Sequence, residues 1–408
     1  MTKKIYDAVH GFIHFNALEQ ALIDSEPFQR LHHLHQLGIS FLVYPGATHT
    51  RFEHSLGTME LATRIYDRMI KHSEAPNDPA YWRQILRLAA LCHDLGHLPF
   101  SHVAEKSLLG NGGHEKWTLA MIQSPILQPI WDQLATLFPS HPVVQDLIKM
   151  AIGEGKLKEI GLKYSFSNWE KVLSQVITGD FFGADRIDYL LRDAQCTGVS
   201  YGLFDYHQLI EMLRILPSLK GEIGELELGI EENGIESCEA LLLARHFMHQ
   251  RVYQYPSVKS YTFHLARFMN GFYKTGNYLE NLSAYLSVTD NEILSAIRAA
   301  SVQGNKDATA LMKKSPRFFA IETGEGIGES ELLELTQTLN IPQEDISWSI
   351  GTASNPLELF SFPVLSRSGA IVDASRYSKI SIPSAEKNWV YIGSNYEKAL
   401  REKLDDPR

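Results

Sequence analysis

The feature that most constrains this chain is an apolar segment that ends in an adjacent histidine and aspartate. Residues 88–92 are apolar on all sides of a helix, which is typical of a buried helix, and His93 and Asp94 follow directly. Burying a carboxylate is costly unless it is paired or binds a metal, and imidazole and carboxylate ligands suit Mg, Mn, Fe or Zn. The sequence therefore predicts a buried helix that carries a metal-binding pair, although a non-functional pair at a helix end has the same pattern.

Composition limits the class of protein. The net charge is −10, from 38 basic and 48 acidic residues, so we expect no extended binding of nucleic acid, which relies on basic side chains. The three cysteines are far apart and form no CxxC pair, which favours a reducing compartment. The N-terminus lacks an apolar signal segment, and no apolar run approaches the ~18 residues of a membrane span. We therefore expect a cytoplasmic protein without membrane association.

Hydrophobic spacing predicts the elements around the His-Asp pair. A helix is expected over about residues 51–70, carrying His54, and another over residues 27–37. Residues 153–167 are polar and rich in Gly and Lys, which predicts a surface loop. Beyond about residue 274, short β-like runs alternate with helices. We therefore expect a mainly helical protein, with a core over residues 1–270 and a smaller α+β region over residues 271–408 that is structural, regulatory or oligomeric.

Two later segments carry polar side chains at every fourth position, which on a helix places them on one face. The first segment has Asp185, Tyr189 and Asp193, and the second has Arg245, His249 and Tyr253. Arginine, histidine and tyrosine on one face suit phosphate and sugar contacts. A solvated helix face is the alternative for both segments, with an i,i+4 pair between Asp188 and Arg192 in the first.

The set His54, His93-Asp94 and Asp185 resembles the H…HD…D signature of the HD-domain metal-dependent phosphohydrolases. Longer strings, at residues 44–57, 93–102 and 185–193, also match and are similar to the deoxynucleoside triphosphate triphosphohydrolase branch of that family. This branch includes bacterial dGTPase-like proteins and the vertebrate SAM-and-HD-domain enzyme. The resemblance covers about residues 1–265 and implies a helical HD-domain core, whereas the C-terminal third matches loosely.

The resemblance implies a divalent metal ion, with Mg, Mn, Fe, Zn and Ni as candidates. The implied ligands are His54, His93, Asp94 and Asp185. Two imidazoles and two carboxylates leave open positions for water and phosphate, and a metal lowers the pKa of bound water.

The resemblance also implies catalytic and substrate-binding residues. The catalytic set is Arg51 as a phosphate clamp, His97 and His102 facing the phosphates, His114 as proton donor or transition-state stabiliser, and Glu105 as the carboxylate that orients a histidine. The substrate-binding set is Gln36, Leu37, Arg51, Arg186, Tyr189, Asp193, Arg245, His249, Tyr253 and Gln254. In this set Tyr189 would exclude a 2′-hydroxyl, and Asp193 would accept from the 3′-hydroxyl. Glu105 replaces a usual Asp and Arg186 a usual Lys, whose geometry differs.

The activity that the resemblance implies is hydrolysis of a deoxynucleoside triphosphate to deoxynucleoside and tripolyphosphate. Water would attack the α-phosphorus, and a histidine would protonate the leaving oxygen. Two alternatives stay open: an HD-type nucleotidase or phosphodiesterase acting on mono- or signalling nucleotides, and a nucleotide-sensing regulator with a slow site. The resemblance further implies a homo-oligomer, dimer or tetramer, with an activating nucleotide in some members.

Overall fold

The structure is a computed structural model. It describes residues 3–72, 76–110, 112–179, 181–219, 224–323, 327–349, 361–378, 380 and 387–404, and within these the side chains of His102 and Lys106 lie outside the described part. The described chain is mainly helical with small sheets, which confirms the predicted fold class. No helix in these ranges is long and apolar enough to cross a membrane.

The helices form most of the described chain. In order they are α1 (Ala17–Ile23), α2 (Glu26–Gln29), α3 (Arg51–His72), α4 (Pro79–Cys92), α5 (Glu105–Leu108), α6 (Glu115–Ile122), α7 (Gln128–Leu137), α8 (Val143–Ile152), α9 (Glu154–Glu159), α10 (Asn168–Thr178), α11 (Ala184–Thr197), α12 (Tyr206–Met212), α13 (Ile235–Met248), α14 (Pro256–Gly276), α15 (Leu282–Leu286), α16 (Asp290–Val302), α17 (Lys306–Met312), α18 (Glu329–Thr338) and α19 (Glu397–Lys403).

The described strands form three small sheets. They are β1 (Lys3–Asp7), β2 (Gly11–Phe15), β3 (Leu213–Pro217), β4 (Leu226–Glu231), β5 (Phe318–Thr323), β6 (Ile346–Ser349), β7 (Pro363–Leu365), β8 (Ile371–Asp373) and β9 (Asn388–Gly393). Strands β1 and β2 form an antiparallel hairpin, and the other sheets have the orders β3-β4-β7-β8 and β5-β9-β6. Only the β4–β7 pair is parallel among these described pairings.

The core surrounds helices α3, α4 and α11. Helix α3 packs against both α4 and α11, and α10 contacts the same two helices. Helix α3 begins after Thr50, whose backbone N–H donates to Glu53 Oε2 over 2.9 Å, an arrangement that satisfies a free amide at a helix start. Residues 85–92 of α4 are buried on every side. The predicted buried helix before His93 and the predicted helix over residues 51–70 are therefore confirmed.

Two local predictions were wrong. The predicted helix over residues 27–37 is only α2 followed by a 3₁₀ turn at Arg30–His33. The chain then runs beside the segment that precedes α3: His35 forms a β-bridge to Thr50, and Gln36 N–H donates to His49 O over 3.0 Å. These tertiary hydrogen bonds replace the helical ones. The predicted surface loop over residues 153–167 contains α9, which packs on α8.

The residues after position 270 contribute strands to two different sheets. Strands β7 and β8 extend the sheet of β3 and β4, so residues on both sides of position 270 form one sheet. By contrast, β5, β6 and β9 pack with α18 and α19 around a separate apolar cluster that includes Ile321, Leu332 and Val390. The predicted β-like runs of this part are confirmed, while the domain division at residue 270 stays a prediction.

Candidate active site

Four side chains predicted to bind metal converge from three helices. His54 lies in α3, His93 and Asp94 follow α4, and Asp185 lies in the first turn of α11. His54 Nε2 is 3.0 Å from an oxygen of Asp185 and 3.6 Å from an oxygen of Asp94. His93 Nε2 is 3.3 Å from an oxygen of Asp94 and 3.7 Å from an oxygen of Asp185. The ligand atoms of His54, His93 and Asp94 thus lie close enough together to hold one ion, and Asp185 contacts both imidazoles.

The Nδ1 atoms of both imidazoles, which point away from Asp94 and Asp185, already have polar partners. His54 Nδ1 lies 2.8 Å from Asp188 Oδ2, and His93 Nδ1 lies 2.7 Å from the backbone oxygen of Ala90. The inner Nε2 atoms are buried and make no hydrogen bond of acceptable geometry within the described residues. Metal-ligating histidines commonly donate their other N–H in this way. The donor set therefore fits a divalent metal ion, whose identity it does not specify.

Electrostatics at the four side chains favours a cation. Burial alone would lower the pKa of His54, but the neighbouring carboxylates of Asp185, Asp188 and Asp94 raise it to about 10. Burial would raise the pKa of Asp185, but His54 and His93 outweigh this effect and hold it below the usual range. The site therefore stabilises positive charge between its carboxylates, which a proton provides at neutral pH and a metal ion can replace.

Metal binding is expected to release at least one proton per site at pH 7, because His54 must lose its proton to become a ligand. Below the His54 pKa, protonation competes with metal binding. For each proton released, the affinity for the metal should therefore rise about tenfold per pH unit between pH 7 and 9. Titration calorimetry with Mn²⁺ in buffers of different ionisation enthalpy measures the released protons. Binding without proton release and with the same affinity at pH 7 and 9 would contradict this charge state.

Arg51 lies against the predicted metal ligands at the start of α3. Its buried guanidinium donates to Asp94 Oδ2 and to Ser101 Oγ, the latter over 2.6 Å and 3.1 Å. Burial would raise the pKa of Asp94, but His93, Arg51 and His97 hold it well below its usual range. A guanidinium held beside this carboxylate is placed to contact an anion that binds at the same point.

A second group of titratable side chains continues from Asp94. His97 Nε2 lies 3.3 Å from Asp94 Oδ1, and its ring stacks on that of His114 with centroids 3.5 Å apart. Glu105 Oε1 lies 3.2 Å from His97 Nδ1 and 3.0 Å from His114 Nδ1. Burial and the neighbouring His97 lower the pKa of His114 to about 4, although Glu105 opposes them. A polyphosphate bound here would raise that pKa and favour a protonated imidazole.

The backbone of His102 lies in the 3₁₀ turn Ser101–Val103 beside this group. Its predicted contact with the phosphates involves a side chain outside the described part of the structure, so this role stays a prediction.

Most of the predicted site residues share one cavity of about 890 Å³. Those that line it are Gln36, Leu37, Arg51, His93, Asp94, His97, His114, Asp185, Tyr189, Asp193, His249 and Tyr253. Five predicted residues with described side chains do not line it: His54, Glu105, Arg186, Arg245 and Gln254. Gln254 Oε1 instead accepts a hydrogen bond from Trp389 Nε1 over 2.9 Å. His54 is fully buried behind the wall.

The predicted helix face of Arg245, His249 and Tyr253 is not a regular α-helix throughout, and only His249 and Tyr253 line the cavity. The α-helix ends at Met248, and His249–Tyr253 form a π-helical turn. The regular four-residue spacing expected from the sequence therefore does not persist through this segment. His249 and Tyr253 have ring centroids 5.1 Å apart. Burial lowers the pKa of His249 to about 4, and the nearby charges of Arg245 and Arg186 add to this effect.

Asp193 is held by two neighbours at the edge of the cavity. Its carboxylate accepts from Tyr253 OH over 2.7 Å and lies 2.8 Å from His49 Nε2. Burial would lower the pKa of His49, but Asp193 and Cys196 raise it to about 9. Asp193 is thus an acceptor held in place near Tyr189, whose ring centroid lies 6.3 Å from that of Tyr253.

Sequence reasoning assigned no site role to several residues that the fold brings here. His49 lies within one of the matched strings, and Asp188 was considered only as part of a surface pair. The far wall of the cavity includes Lys156 of α9, Gln175 of α10 and Phe362, which follows position 270 in the chain. Nothing in the local sequence of these three indicates that they meet the site, because tertiary packing alone brings them there.

Comparison with known proteins identifies a domain in the N-terminal half of the chain. Residues 51–142 match the family model of the HD domain, a range that contains His54, His93 and Asp94. The chain contains an HD domain. This HD-domain chain is homologous to the deoxynucleoside triphosphate triphosphohydrolase SAMHD1 of Homo sapiens, at 27% identity over 347 residues that cover 76% of this chain and 53% of that protein. An uncharacterized protein of Methanocaldococcus jannaschii is 35% identical over 257 residues, covering 63% of this chain and 47% of that protein.

The HD-domain chain spans about half the length of the curated relatives it matches. Among solved structures, a hypothetical protein from Aquifex aeolicus superposes with a TM-score of 0.78 at 29% identity, covering 99% of this chain and 100% of that one. A phosphohydrolase from Bacteroides thetaiotaomicron shares the fold with a TM-score of 0.75 at 23% identity, covering 97% and 100% of the two chains. The fold therefore extends over nearly the whole chain, beyond the HD domain itself.

Proposed function

We propose that this protein hydrolyses deoxynucleoside triphosphates to deoxynucleoside and tripolyphosphate in a metal-dependent reaction. The observation that carries this proposal is the combination found in one cavity: the predicted metal ligands His93, Asp94 and Asp185 and the sugar-sensing pair Tyr189 and Asp193. A cavity of about 890 Å³ is within the range of small-molecule sites. The homology to SAMHD1, a deoxynucleoside triphosphate triphosphohydrolase by name, supports the same substrate class.

In this proposal, His54, His93, Asp94 and Asp185 hold the divalent ion, which supplies Lewis-acid chemistry and lowers the pKa of water. Arg51 exchanges part of its contact with Asp94 for a phosphate oxygen. His114 gives a proton to the O5′ atom as the bond from the α-phosphorus to O5′ breaks. Glu105, which lies 3.0 Å from His114 Nδ1, orients that imidazole.

Tyr189 is proposed to exclude ribonucleotides through the bulk of its ring. Tyr189→Ala should therefore reduce the preference for a dNTP over the matching rNTP by about tenfold or more in kcat/KM, because filling or emptying a pocket by a small group changes discrimination on the order of 10- to 200-fold. Tyr189→Phe is the matched control, since it keeps the ring and should keep the preference. An unchanged ratio in the alanine variant would contradict the assigned role.

The substrate class can be tested directly with the metal-reconstituted protein. Each dNTP and rNTP is supplied with Mg²⁺ or Mn²⁺, singly and in mixtures, and the products are resolved by anion-exchange chromatography. The proposal predicts deoxynucleoside and tripolyphosphate from dNTPs only. Turnover that requires a mixture would indicate an activating nucleotide, and sedimentation with and without dGTP would show the dimer or tetramer that we propose.

Two results would replace the proposed activity. Hydrolysis of monophosphates or cyclic nucleotides without turnover of any triphosphate would favour the nucleotidase or phosphodiesterase alternative. A protein that assembles into oligomers when nucleotide is added, but shows no turnover, would favour the nucleotide-sensing regulator. The same conclusion would follow if variants with His93 and Asp94 substituted kept this nucleotide-dependent assembly.

A further inference from the structure

The N-terminal hairpin reaches the back of the candidate metal centre. Strands β1 and β2 pair in antiparallel register from Lys3 opposite Phe15 to Asp7 opposite Gly11. In the connection between them, Asp7 Oδ1 accepts from the backbone N–H groups of Val9 and His10 over 2.9 Å and 2.8 Å. Asp7, the last residue of β1, and His10 in the connecting turn are both buried. The sequence of this turn thus directs a carboxylate and an imidazole into the protein.

The imidazole of His10 contacts Asp188, which is fully buried in α11. His10 Nε2 lies 2.7 Å from Asp188 Oδ1, while His54 Nδ1 lies 2.8 Å from Asp188 Oδ2. Each oxygen of this carboxylate therefore contacts one imidazole, the first from the hairpin and the second from the predicted metal ligand.

Arg192 contacts two carboxylates, those of Asp188 and Asp7. Its guanidinium donates to the two oxygens of Asp188 over 2.9 Å and 3.0 Å, and to Asp7 Oδ2 over 2.8 Å. Two buried carboxylates thus share one buried guanidinium, and the hairpin supplies the second carboxylate.

Helix α3 approaches Asp188 most closely at a glycine. A Cβ atom at Gly57 of α3 would lie 1.9 Å from Asp188 Oδ1 and 2.5 Å from Arg192 Nη2. Gly57 lies three residues after His54 in the same helix, so the close approach of α3 and α11 places Asp188 directly against the turn that carries His54. The glycine is therefore required by the same network.

We propose that Asp7 and His10 are positioning residues that set the metal affinity of the HD-domain site through Asp188 and His54. They hold the Asp188 carboxylate so that it fixes the ring orientation of His54 and directs Nε2 toward the other predicted ligands. Partners that orient a ligand in this way typically change metal affinity 10- to 100-fold when they are removed. The inference rests on the metal centre of the proposed function and is independent of the nucleotide substrate.

Mn²⁺ affinity of the full chain, measured without nucleotide by competition with a chromophoric chelator, tests this role. His10→Ala should weaken Mn²⁺ binding about 10- to 100-fold, while His10→Gln should stay within about threefold of wild type because its amide can donate to Asp188. Asp7→Asn, which keeps the oxygen that caps the turn but loses the charge facing Arg192, should also weaken binding. His14→Ala is the matched control, since His14 lies on the same hairpin with an exposed side chain.

Thermal unfolding of each metal-free variant separates positioning from a purely structural role. Loss of stability in His10→Ala and Asp7→Asn with unchanged Mn²⁺ affinity of the folded protein would overturn the inference. If His10→Ala does not fold, the comparison of Asp7→Asn with His14→Ala decides in the same way. Failure of the wild-type protein to bind Mn²⁺ would instead count against the proposed metal centre, and binding without dNTP turnover would count only against the proposed substrate.

Discussion

Asp94→Asn is expected to lower turnover by about 10³-fold or more. Metal ions contribute several kcal/mol to phosphoryl chemistry, and about 4 kcal/mol corresponds to three powers of ten in rate. Asp94 contacts His93, His54 and Arg51, so its substitution removes the charge of a proposed ligand and also a contact of the proposed phosphate clamp Arg51. The measurement is kcat with the preferred dNTP, together with the Mn²⁺ content after gel filtration.

Asp146→Asn is the matched control for this substitution. Asp146 is also a buried aspartate, but it lies in α8 and accepts a hydrogen bond from Tyr81 OH over 2.6 Å, away from the cavity lining. Its amide can keep that hydrogen bond, so kcat should stay near the wild-type value. If Asp94→Asn retained both metal and turnover at control levels, Asp94 could not be a ligand and the proposed centre would be wrong.

Arg87→Met is expected to reduce the free energy of unfolding by about 3–5 kcal/mol, because it leaves a buried carboxylate without its partner. Arg87 of α4 donates to the two oxygens of Glu19 over 2.6 Å and 2.8 Å, to Thr63 Oγ1, and to the backbone oxygen of His14. Glu19 and Arg87 are both buried. This pair joins α1, the hairpin and the helix that carries His93. Urea unfolding followed by circular dichroism measures the loss.

Arg83→Met offers a control on the same helix, one turn earlier. Arg83 makes the same two-point contact with a carboxylate, that of Asp67, over 2.7 Å and 2.8 Å. However, the side chains of this pair are 42% and 39% exposed, so its loss should reduce stability by only about 0–1 kcal/mol. Equal losses in the two variants would show that burial does not determine the contribution of these arginines.

The sequence predicts the helices around the candidate metal centre better than the segments that surround them. Helices α3 and α4 follow from their own apolar spacing, and a buried His-Asp pair after an apolar helix needs a chemical partner wherever it occurs. The meeting of His54, His93, Asp94 and Asp185 follows from the resemblance and not from spacing alone, since 90 residues separate Asp94 from Asp185. The structure brings them together, while their roles as ligands stay a proposal.

The features that sequence reasoning missed depend on contacts between distant segments. Residues 34–36 have helical spacing but form tertiary hydrogen bonds with residues 49–51. Asp188 has an i,i+4 partner in Arg192, which is typical of a surface pair, yet Asp7 and His10 bury this pair behind the site. The π-helical turn at His249–Tyr253 interrupts a regular pattern that periodicity alone would extend. In each case the local pattern is compatible with two structures, and packing selects one.

Hydrolysis of a dNTP in water enriched in ¹⁸O tests the central claim most directly. Attack of water on the α-phosphorus with cleavage of the bond to O5′ places one heavy oxygen in tripolyphosphate and none in the deoxynucleoside. Mass spectrometry of both products after a single round of turnover distinguishes the outcomes. We predict label in tripolyphosphate only, whereas label in the deoxynucleoside, or formation of a deoxynucleoside mono- or diphosphate, would contradict the proposed reaction.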